Sequence, residues 1–368
     1  MATIGDTSAP STNTIYYDAL LSTTLDAYVG SGSLFDAIFK DSAFLTLLRQ
    51  KDSVIKQDGG ERIRVPLMYG KNDTIKSYSG YETLDTTPQD GITTAFYDWR
   101  EIGGTISISR KEERQNSGEA RKIALLESKI KQAKMSMSET LSQQIVQGTV
   151  SGATFVPGNS SKDLNPLGYF LRLDVTADPT SGGNVGNLAS SNTWWRAKTA
   201  TLGSTGTQTG NAFALNVSTY KGFVVALRRL YNHCSRGSGG SPDIALFDQL
   251  SYETYENALD EKVRYSNTKL ADMGFDNIKL RGATCVWDEQ VPDIDSGTTT
   301  ITGGTCFMLN SNFYHLIIDS QTDVVTTPFV EPENQTAKTA KILFMGNTGV
   351  SNLRKHGVGY EILQTIVA

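Results

Sequence analysis

The chain has 368 residues, a formal net charge of −5 and a hydrophobic fraction of 38%. This length allows a large core and two or three domains. The negative charge argues against a protein that holds nucleic acid through an overall basic field. No apolar run approaches ~18 residues, and residues 1–17 lack the charged start and apolar segment of a secretory signal. We therefore expect neither a transmembrane helix nor a signal peptide, in a protein made in a cytoplasm.

The first hundred residues predict a polar arm, a helix and a long hairpin. Residues 1–14 are small and polar, which is typical of an extended arm. Apolar residues recur at helical spacing over 33–50, which predicts a helix. Polar and apolar residues alternate over 61–67 and again over 96–110, which predicts two strands, and the segment 69–92 between them is polar. An isolated hairpin is marginal in water, so we expect this one to lie against a neighbour.

The strongest periodic pattern predicts a long helix over 117–147. Its apolar residues recur every three or four positions from Ile123 to Ile145. Ser117 can cap its beginning, and Gly148 can end it. A helix of this length exceeds the globular average and needs a sheet or another chain along it.

The remainder of the chain alternates strands and helices. Residues 150–215 predict loops and short strands, and 237–242 (GSGGSP) predicts a linker. Helices are predicted over 218–234 and 249–263. Strands are predicted over 244–247, 277–286, 305–309, 314–318, 341–345 and 357–367. The helix at 249–263 and the strand at 277–286 should pack together.

Residue types used in metal and nucleotide chemistry are present but form no motif. The histidines, His233, His315 and His356, are isolated, so no zinc site is predicted. The cysteines, Cys234, Cys285 and Cys306, are odd in number and far apart, which favours buried free thiols over a disulfide framework. Phosphate-binding and nucleophile-elbow motifs are missing, and the glycine clusters at 30–32 and 237–240 lack the spacing of a phosphate cradle.

Carboxylates and tryptophans also admit ordinary structural interpretations. The adjacent pairs Glu112–Glu113 and Asp288–Glu289 are predicted to be solvated surface charge, because neighbouring residues seldom face one another. The tryptophans, Trp99, Trp194, Trp195 and Trp287, have no basic groove nearby and are predicted to anchor the core or a subunit interface. We therefore predict no catalytic, cofactor-binding or metal-binding residues, no cofactor and no enzyme activity.

Three segments carry a resemblance to a known family. They are NVGNLASSNTWWRAK at 184–198, RYSNTKLADMGFDNIKLRGATCVWDEQVP at 264–292 and CFMLNSNFYHL at 306–316. Together with the order of arm, hairpin, long helix, mixed domain and closing strands, they resemble the major capsid proteins of tailed bacteriophages. The resemblance spans most of the chain and is weakest in the first 60 residues.

The resemblance implies an α+β fold of the Hong Kong 97-like capsid type, with an N-terminal arm, an extended β-hairpin E-loop, a long spine helix, and peripheral and axial domains. The arm would be 1–32, the E-loop 57–105 and the axial domain 153–320. The peripheral domain would comprise 33–56, 106–152 and 321–368, with the spine helix at 117–147.

The resemblance also implies a function. Such a subunit self-assembles as pentamers and hexamers into an icosahedral head that encloses double-stranded DNA, which it contacts weakly and non-specifically. Expected partners are copies of itself, a portal and a separate scaffolding protein, because the arm is too short for a fused scaffold; a decoration protein is a further candidate. The location would be the virion, after assembly in the host bacterial cytoplasm, with no membrane partner.

Two alternatives remain open at this point. One is an encapsulin-type shell of a cellular compartment, which shares the fold. The other is a β-rich adhesin or carbohydrate-binding protein, suggested by the serine, threonine and glycine content and by the aromatic residues. Some capsid proteins cross-link through an E-loop lysine and a peripheral-domain asparagine. Lys71, Lys76, Asn347 and Asn352 have suitable positions, but no motif singles them out, so cross-linking is not predicted.

Overall fold

The computed structural model describes residues 43–115, 125–151, 154–171, 184–189, 192–202, 212–214, 220–259, 278–291, 304–333 and 335–362. Its helices are α1 (Ala43–Gln50), α2 (Arg110–Gln115), α3 (Leu125–Val146), α4 (Gly158–Ser161), α5 (Leu167–Phe170), α6 (Tyr220–Ser235) and α7 (Gln249–Leu259), with a 3-10 helix at Leu353–Lys355. Its strands are β1 (Val54–Gln57), β2 (Ile63–Met68), β3 (Ile92–Tyr97), β4 (Arg100–Ser109), β5 (Thr149–Ser151), β6 (Thr154–Val156), β7 (Lys198–Thr201), β8 (Ala212–Ala214), β9 (Ile244–Phe247), β10 (Ile278–Leu280), β11 (Ala283–Trp287), β12 (Gly304–Leu309), β13 (Tyr314–Asp319), β14 (Val325–Thr326), β15 (Ala337–Val350) and β16 (Gly357–Ile362).

The chain divides into two compact units. Among the described residues, the smaller unit takes its parts from Ile102–Glu139 and Val324–Phe344, and the larger unit takes the rest. In the smaller unit, β15 pairs with β4 and, in antiparallel register, with β14. Ile106 and Ile108 are buried, which confirms the alternation predicted for this part of β4.

The long helix is confirmed over Leu125–Val146, and residues 117–124 lie outside the described part of the chain. Burial along it is uneven. Met137, Leu141 and Ile145 of the predicted stripe are buried, whereas no residue from 127 to 136 is fully buried.

The larger unit is built on a mixed seven-stranded sheet in the order β10-β11-β9-β12-β16-β7-β8. Helices α6 and α7 contribute to one core cluster with this sheet, because each presents an apolar face at helical spacing. Phe223, Leu227 and Leu230 of α6 are fully buried, as are all four residues of β9. The helix predicted at 218–234 is confirmed from Tyr220 onward, with 218 and 219 outside the described residues, and the strand predicted at 244–247 is confirmed.

The predicted strand at 277–286 is two strands. Arg281 has a positive φ of 56° and, with Gly282, turns the chain between β10 and β11, which pair in antiparallel register. The predicted contact with helix 249–263 is confirmed, because Tyr252 and Tyr255 of α7 share the core cluster with both strands. That helix is described as far as Leu259.

The predicted pairing of strands 61–67 and 96–110 was wrong in part. β2 pairs in antiparallel register with β3, from Ile63↔Tyr97 to Met68↔Ile92. Asp98 and Trp99 separate β3 from β4, and β4 pairs with β15 instead. The alternation predicted over 96–110 belongs mainly to β4, and only Phe96 and Tyr97 of that range lie in β3, so the pattern alone does not identify the hairpin partner.

The other terminal strands follow the predictions closely. The strands expected at 305–309 and 314–318 correspond to β12 and β13, and β16 begins at Gly357 as predicted. β15 extends well beyond the predicted 341–345. The helix predicted over 33–50 is confirmed as α1 from Ala43 onward, and 33–42 lie outside the described residues. Within the described residues, we find no helix that has both the length and the apolar character to cross a bilayer.

Candidate assembly surface

Exposed apolar side chains concentrate on the tip of the β2–β3 hairpin. Met68, Ile75 and Tyr81 are 82%, 81% and 106% exposed. Four more large apolar residues between positions 68 and 92 are also exposed: Tyr69, Tyr78, Leu84 and Ile92. These seven are more than half of the 13 large apolar residues that are exposed in the described chain. An apolar concentration of this kind marks an interaction surface. We call residues 68–92 the hairpin tip.

The hairpin tip is closed at its neck by two glycines. The Tyr69 N–H donates to the Gly91 carbonyl at 2.9 Å, and a Cβ on Gly70 would lie 3.1 Å from Gly91 Cα. Side chains at these positions would therefore push the two chain segments apart.

Beyond the neck, the hydrogen bonds are local turns. The Thr74 N–H donates to Asn72 Oδ1, and the Thr87 N–H donates to Asp85 Oδ1, each at 3.0 Å. Bonds from the Thr87 hydroxyl and N–H lower the pKa of Asp85. Such turns shape the tip but cover none of its apolar side chains.

The base of the hairpin, in contrast, is fixed to the body of the larger unit. The buried Tyr97 hydroxyl donates to the Val350 carbonyl at 2.9 Å, and the Phe96 N–H donates to the Gly186 carbonyl at 3.0 Å. The Tyr69 ring stacks on Trp194 with centroids 4.9 Å apart. The hairpin therefore projects from a defined base.

The tryptophans divide between core and surface. Trp195 is buried, and its Nε1 donates to the Val185 carbonyl at 3.0 Å, as predicted for a core anchor. Trp194 and Trp99 are half-buried beside the hairpin, where Trp99 Nε1 donates to the Gly60 carbonyl at 2.9 Å. Trp287 is exposed at the end of β11.

The prediction that both carboxylate pairs are solvated was wrong for Asp288, which is buried. Its Oδ2 accepts from the Phe44 N–H at 3.1 Å, and its Oδ1 accepts from the Gln290 N–H at 2.9 Å. Phe44 lies in the first turn of α1, where N–H groups have no partner within the helix. Asp288 therefore caps the beginning of α1, although it lies 244 positions from Phe44 in the sequence.

Glu112 is also buried rather than solvated. The Ser109 N–H donates to Glu112 Oε2 at 3.1 Å, and the Glu112 N–H donates to Ser109 Oγ at 3.2 Å. This reciprocal pair is a capping box, whose S-x-x-E signature is readable in the sequence. Lys129 Nζ lies 3.1 Å from Glu112 Oε2 and balances its charge. Glu113 is partly exposed and pairs with Lys338 at 2.8 Å.

Solved structures share this architecture. The capsid asymmetric unit of cyanophage A-1(L) aligns with a TM-score of 0.61 at 15% identity, over 91% of this chain and 97% of that one. The capsid of a native GTA particle aligns with a TM-score of 0.57 at 11% identity, over 92% and 95% of the two chains. The SrpI encapsulin of Synechococcus elongatus aligns with a TM-score of 0.51 at 8% identity, over 92% and 98%.

The chain has the Hong Kong 97-like capsid fold. The agreement with phage capsids covers about nine-tenths of the chain, which confirms the fold class predicted from the sequence. No protein-family model and no curated protein matches the sequence. The likeness is therefore one of structure rather than of sequence.

In this Hong Kong 97-like chain, the segment predicted as a linker has a structural role. Lys355 is buried, and its Nζ donates to the carbonyls of Arg236, Gly237 and Gly240 at 3.0–3.1 Å. Burial lowers the pKa of Lys355. A Cβ on Gly239 would lie 2.7 Å from the Phe313 ring, so the loop also requires its glycine for space. The 237–242 segment connects α6 to β9, as predicted for a linker, and Lys355 fixes it in place from a position distant in sequence.

The thiols of this capsid-fold chain are buried, as are the imidazoles of His233 and His356, whereas His315 is half-buried. The three cysteines are free and buried, as predicted, and burial raises the pKa of Cys234 and Cys285 to about 12. His356 is fully buried; its Nδ1 accepts from the Asn310 N–H at 3.2 Å, and burial, with His315 nearby, lowers its pKa to about 3. Burial also lowers the pKa of His233 and His315. Among the described residues, no three His, Cys, Asp or Glu side chains form a group that could hold a metal ion.

The lysines and asparagines considered for cross-linking differ in solvent exposure. Lys71 and Lys76 lie exposed on the hairpin tip. Asn347 is fully buried; its Nδ2 donates to the Asp98 carbonyl at 2.7 Å, and its Oδ1 accepts from the Asn165 N–H at 3.1 Å. An amide held in this way is not accessible to a lysine of another subunit. Asn352 is half-buried in the segment before the 3-10 helix.

Proposed function

We propose that this chain is the shell-forming subunit of a tailed-phage head. In this proposal, it assembles as pentamers and hexamers into an icosahedral container for double-stranded DNA. The fold shared with phage capsids supports the proposal. The observation that carries it is the hairpin tip, which exposes seven apolar residues, of which Tyr69 alone is described as stacking on an aromatic ring of the body.

Physical chemistry favours an assembly of many copies. Burying a large apolar side chain contributes about 1.5–3 kcal/mol, so covering several of them on each subunit favours association. A tip that contacts a different surface of the next copy makes a heterologous contact, and such contacts close into rings. The tip would then be the distal part of an E-loop at 57–105, with the arm at 1–32, the spine helix at 117–147, and the peripheral and axial domains divided as the resemblance implies.

The partners and location follow as further parts of the proposal. A portal and a separate scaffolding protein would assist assembly in the host bacterial cytoplasm, and the finished protein would lie in the virion. The role is structural, because the buried carboxylates, thiols and imidazoles described above serve folding. The carbohydrate-binding alternative gains no support from the aromatic residues, since Trp195 is core and Tyr69 is stacked on Trp194.

An encapsulin-type shell is the second candidate, because the SrpI encapsulin aligns over 92% of the chain. Both candidates predict a closed shell and differ in the contents. A phage head contains nuclease-protected DNA, whereas a compartment shell contains cargo protein. We favour the phage head because the likeness to the cyanophage A-1(L) capsid has the higher TM-score.

The test is assembly of the full chain, alone and co-expressed with proteins encoded beside it. We expect electron microscopy and analytical ultracentrifugation to show closed shells of uniform size. Subunits that stay monomeric under every concentration and co-expression condition would contradict a shell. Particles that contain protein cargo and no nuclease-protected DNA would replace the phage head by the compartment shell.

A further inference from the structure

Four cationic residues and His233 lie where three elements of the larger unit meet. The end of α6 provides Arg229 and His233, and Arg236 follows it directly. Lys198 begins β7, and Arg354 lies in the 3-10 helix before β16. We call these five residues the basic cluster.

Backbone contacts hold the three elements together. The Lys198 N–H donates to the His356 carbonyl at 3.0 Å, and Lys198 is opposite Gly357 in the parallel pairing of β7 and β16. A Cβ on Gly357 would lie 2.6 Å from Cys234 Sγ and 3.0 Å from Leu230 Cδ1. The end of α6 therefore packs directly on the first residues of both strands, and the basic cluster is a feature of the folded core.

The charges of the basic cluster act on one another. Burial lowers the pKa of His233, and Arg236, Lys198 and Arg229 lower it further. Burial also lowers the pKa of Lys198, with additional lowering by Arg354 and Arg236. Like charges close enough to lower each other's pKa give this face a positive local potential.

The attraction of cations to the C-terminus of α6 explains only part of this clustering of positive charge. A helix C-terminus attracts cations by itself. However, the carbonyls that follow α6 already accept from Lys355, which is not part of the cluster. The Arg236 and Arg354 side chains are exposed, and no ion pair within the described chain involves either. These two guanidinium groups are accessible to an anion from outside the chain.

We infer that the basic cluster binds the phosphate backbone of nucleic acid. A guanidinium fork matches phosphate oxygens in bidentate geometry, and the exposed Arg236 and Arg354 supply two such groups. At physiological ionic strength charges act over about 8 Å, so a local cluster can hold phosphates although the whole chain carries −5. The choice of DNA over another polyanion rests on the proposed function. Phosphate contacts carry no sequence information, so binding is non-specific.

The test measures binding of a fluorescein-labelled DNA duplex to the full chain across a salt series. The variant R236E/R354E should bind at least about tenfold more weakly than the wild type at low salt. The slope of log affinity against log salt should fall by about two, because two phosphate contacts are lost. The matched control, K131E/K134E, makes the same charge change at two exposed positions of α3 and should stay within twofold of the wild type. Thermal melting checks that both variants are folded.

Three results would overturn the inference. They are the absence of DNA binding by the wild type, equal weakening by both variants, and stronger competition by polyglutamate than by unlabelled DNA. The last result would assign the basic cluster to an acidic protein segment. Electron microscopy separates this inference from the proposed function: shells that form normally without DNA binding contradict only the inference, whereas a wild type that never forms shells contradicts the proposed function.

Discussion

The seven-stranded sheet and the hairpin tip place apolar side chains in opposite environments. Every residue of β9 and β12 is buried. The tip, 68–92, holds seven exposed apolar residues and is joined to the rest of the chain through its base. The sheet is therefore stabilised by contacts within the chain, whereas most of the apolar surface of the tip has no cover among the described residues. Under the proposed function, the same apolar chemistry serves folding in one region and association in the other.

The largest expected effect is in the sheet. Phe247 is fully buried, and its ring stacks on Tyr255 with centroids 5.9 Å apart. Truncation in Phe247→Ala leaves a cavity and should lower the free energy of unfolding by about 3–5 kcal/mol. Denaturant unfolding of unassembled subunits measures this loss. Tyr81→Ala removes an aromatic ring of similar size from the tip and should change stability by less than about 0.5 kcal/mol. Similar losses of unfolding free energy in the two variants would contradict the distinction between a buried sheet and an exposed tip.

A smaller effect concerns the ionisation of His356. Its pKa is about 3 in the folded chain, below the ordinary value of about 6.5, so the unfolded chain binds the extra proton. Stability from this group is therefore present above about pH 6.5 and is lost progressively as the pH falls toward 3. Through this group, the free energy of unfolding changes by at most about 1.4 kcal/mol per pH unit.

Unfolding measured between pH 7 and pH 5 tests this expectation. His356→Asn keeps an acceptor for the Asn310 N–H but does not titrate, so its stability should depend less on pH than that of the wild type. Any remaining slope would come from His233 and His315, whose pKa values are also lowered by burial. An unchanged slope in the variant would show that folding does not lower the pKa of His356.

The smallest effect on the isolated subunit should follow substitution of the tip itself. Tyr78→Ser with Tyr81→Ser removes two exposed rings, so the unfolding free energy should stay within about 0.5 kcal/mol of the wild type. The concentration required for shell assembly, measured by light scattering, should rise at least tenfold. Ser77→Ala with Thr86→Ala changes polar residues of the same tip and should assemble like the wild type. Normal assembly by the tyrosine variant would show that the tip apolar residues make no subunit contact.

Local patterns in the sequence predicted most regular elements. β9 is a continuous apolar run between turn residues, and α6 has a clear helical periodicity, so each depends little on distant partners. The sequence also predicted that the hairpin has a polar tip and lies against a neighbour. Its exposed apolar residues, such as Ile75 and Leu84, are scattered among polar ones and form no periodic pattern.

Contacts between distant segments could not be predicted in this way. Asp288 caps α1 across 244 positions, and Lys355 reaches carbonyls more than 100 positions away. Nothing in DEQ at 288–290 or in GSGGSP at 237–242 identifies those partners. The basic cluster likewise combines three separate segments in a chain of negative net charge. The capping box at Ser109 and Glu112 is different, because its spacing was available in the sequence and was overlooked.

The close packing at Gly357 has a consequence for evolutionary drift. A methyl group there would lie 2.6 Å from Cys234 Sγ, and at Gly304 it would lie 2.0 Å from Ser251 Oγ. Distances this short leave no room for any side chain. Although the A-1(L) capsid and the SrpI encapsulin share only 15% and 8% identity with this chain, we expect descendants of this chain to retain glycine at both positions. These two glycines would then serve as fixed points for aligning its remote homologues.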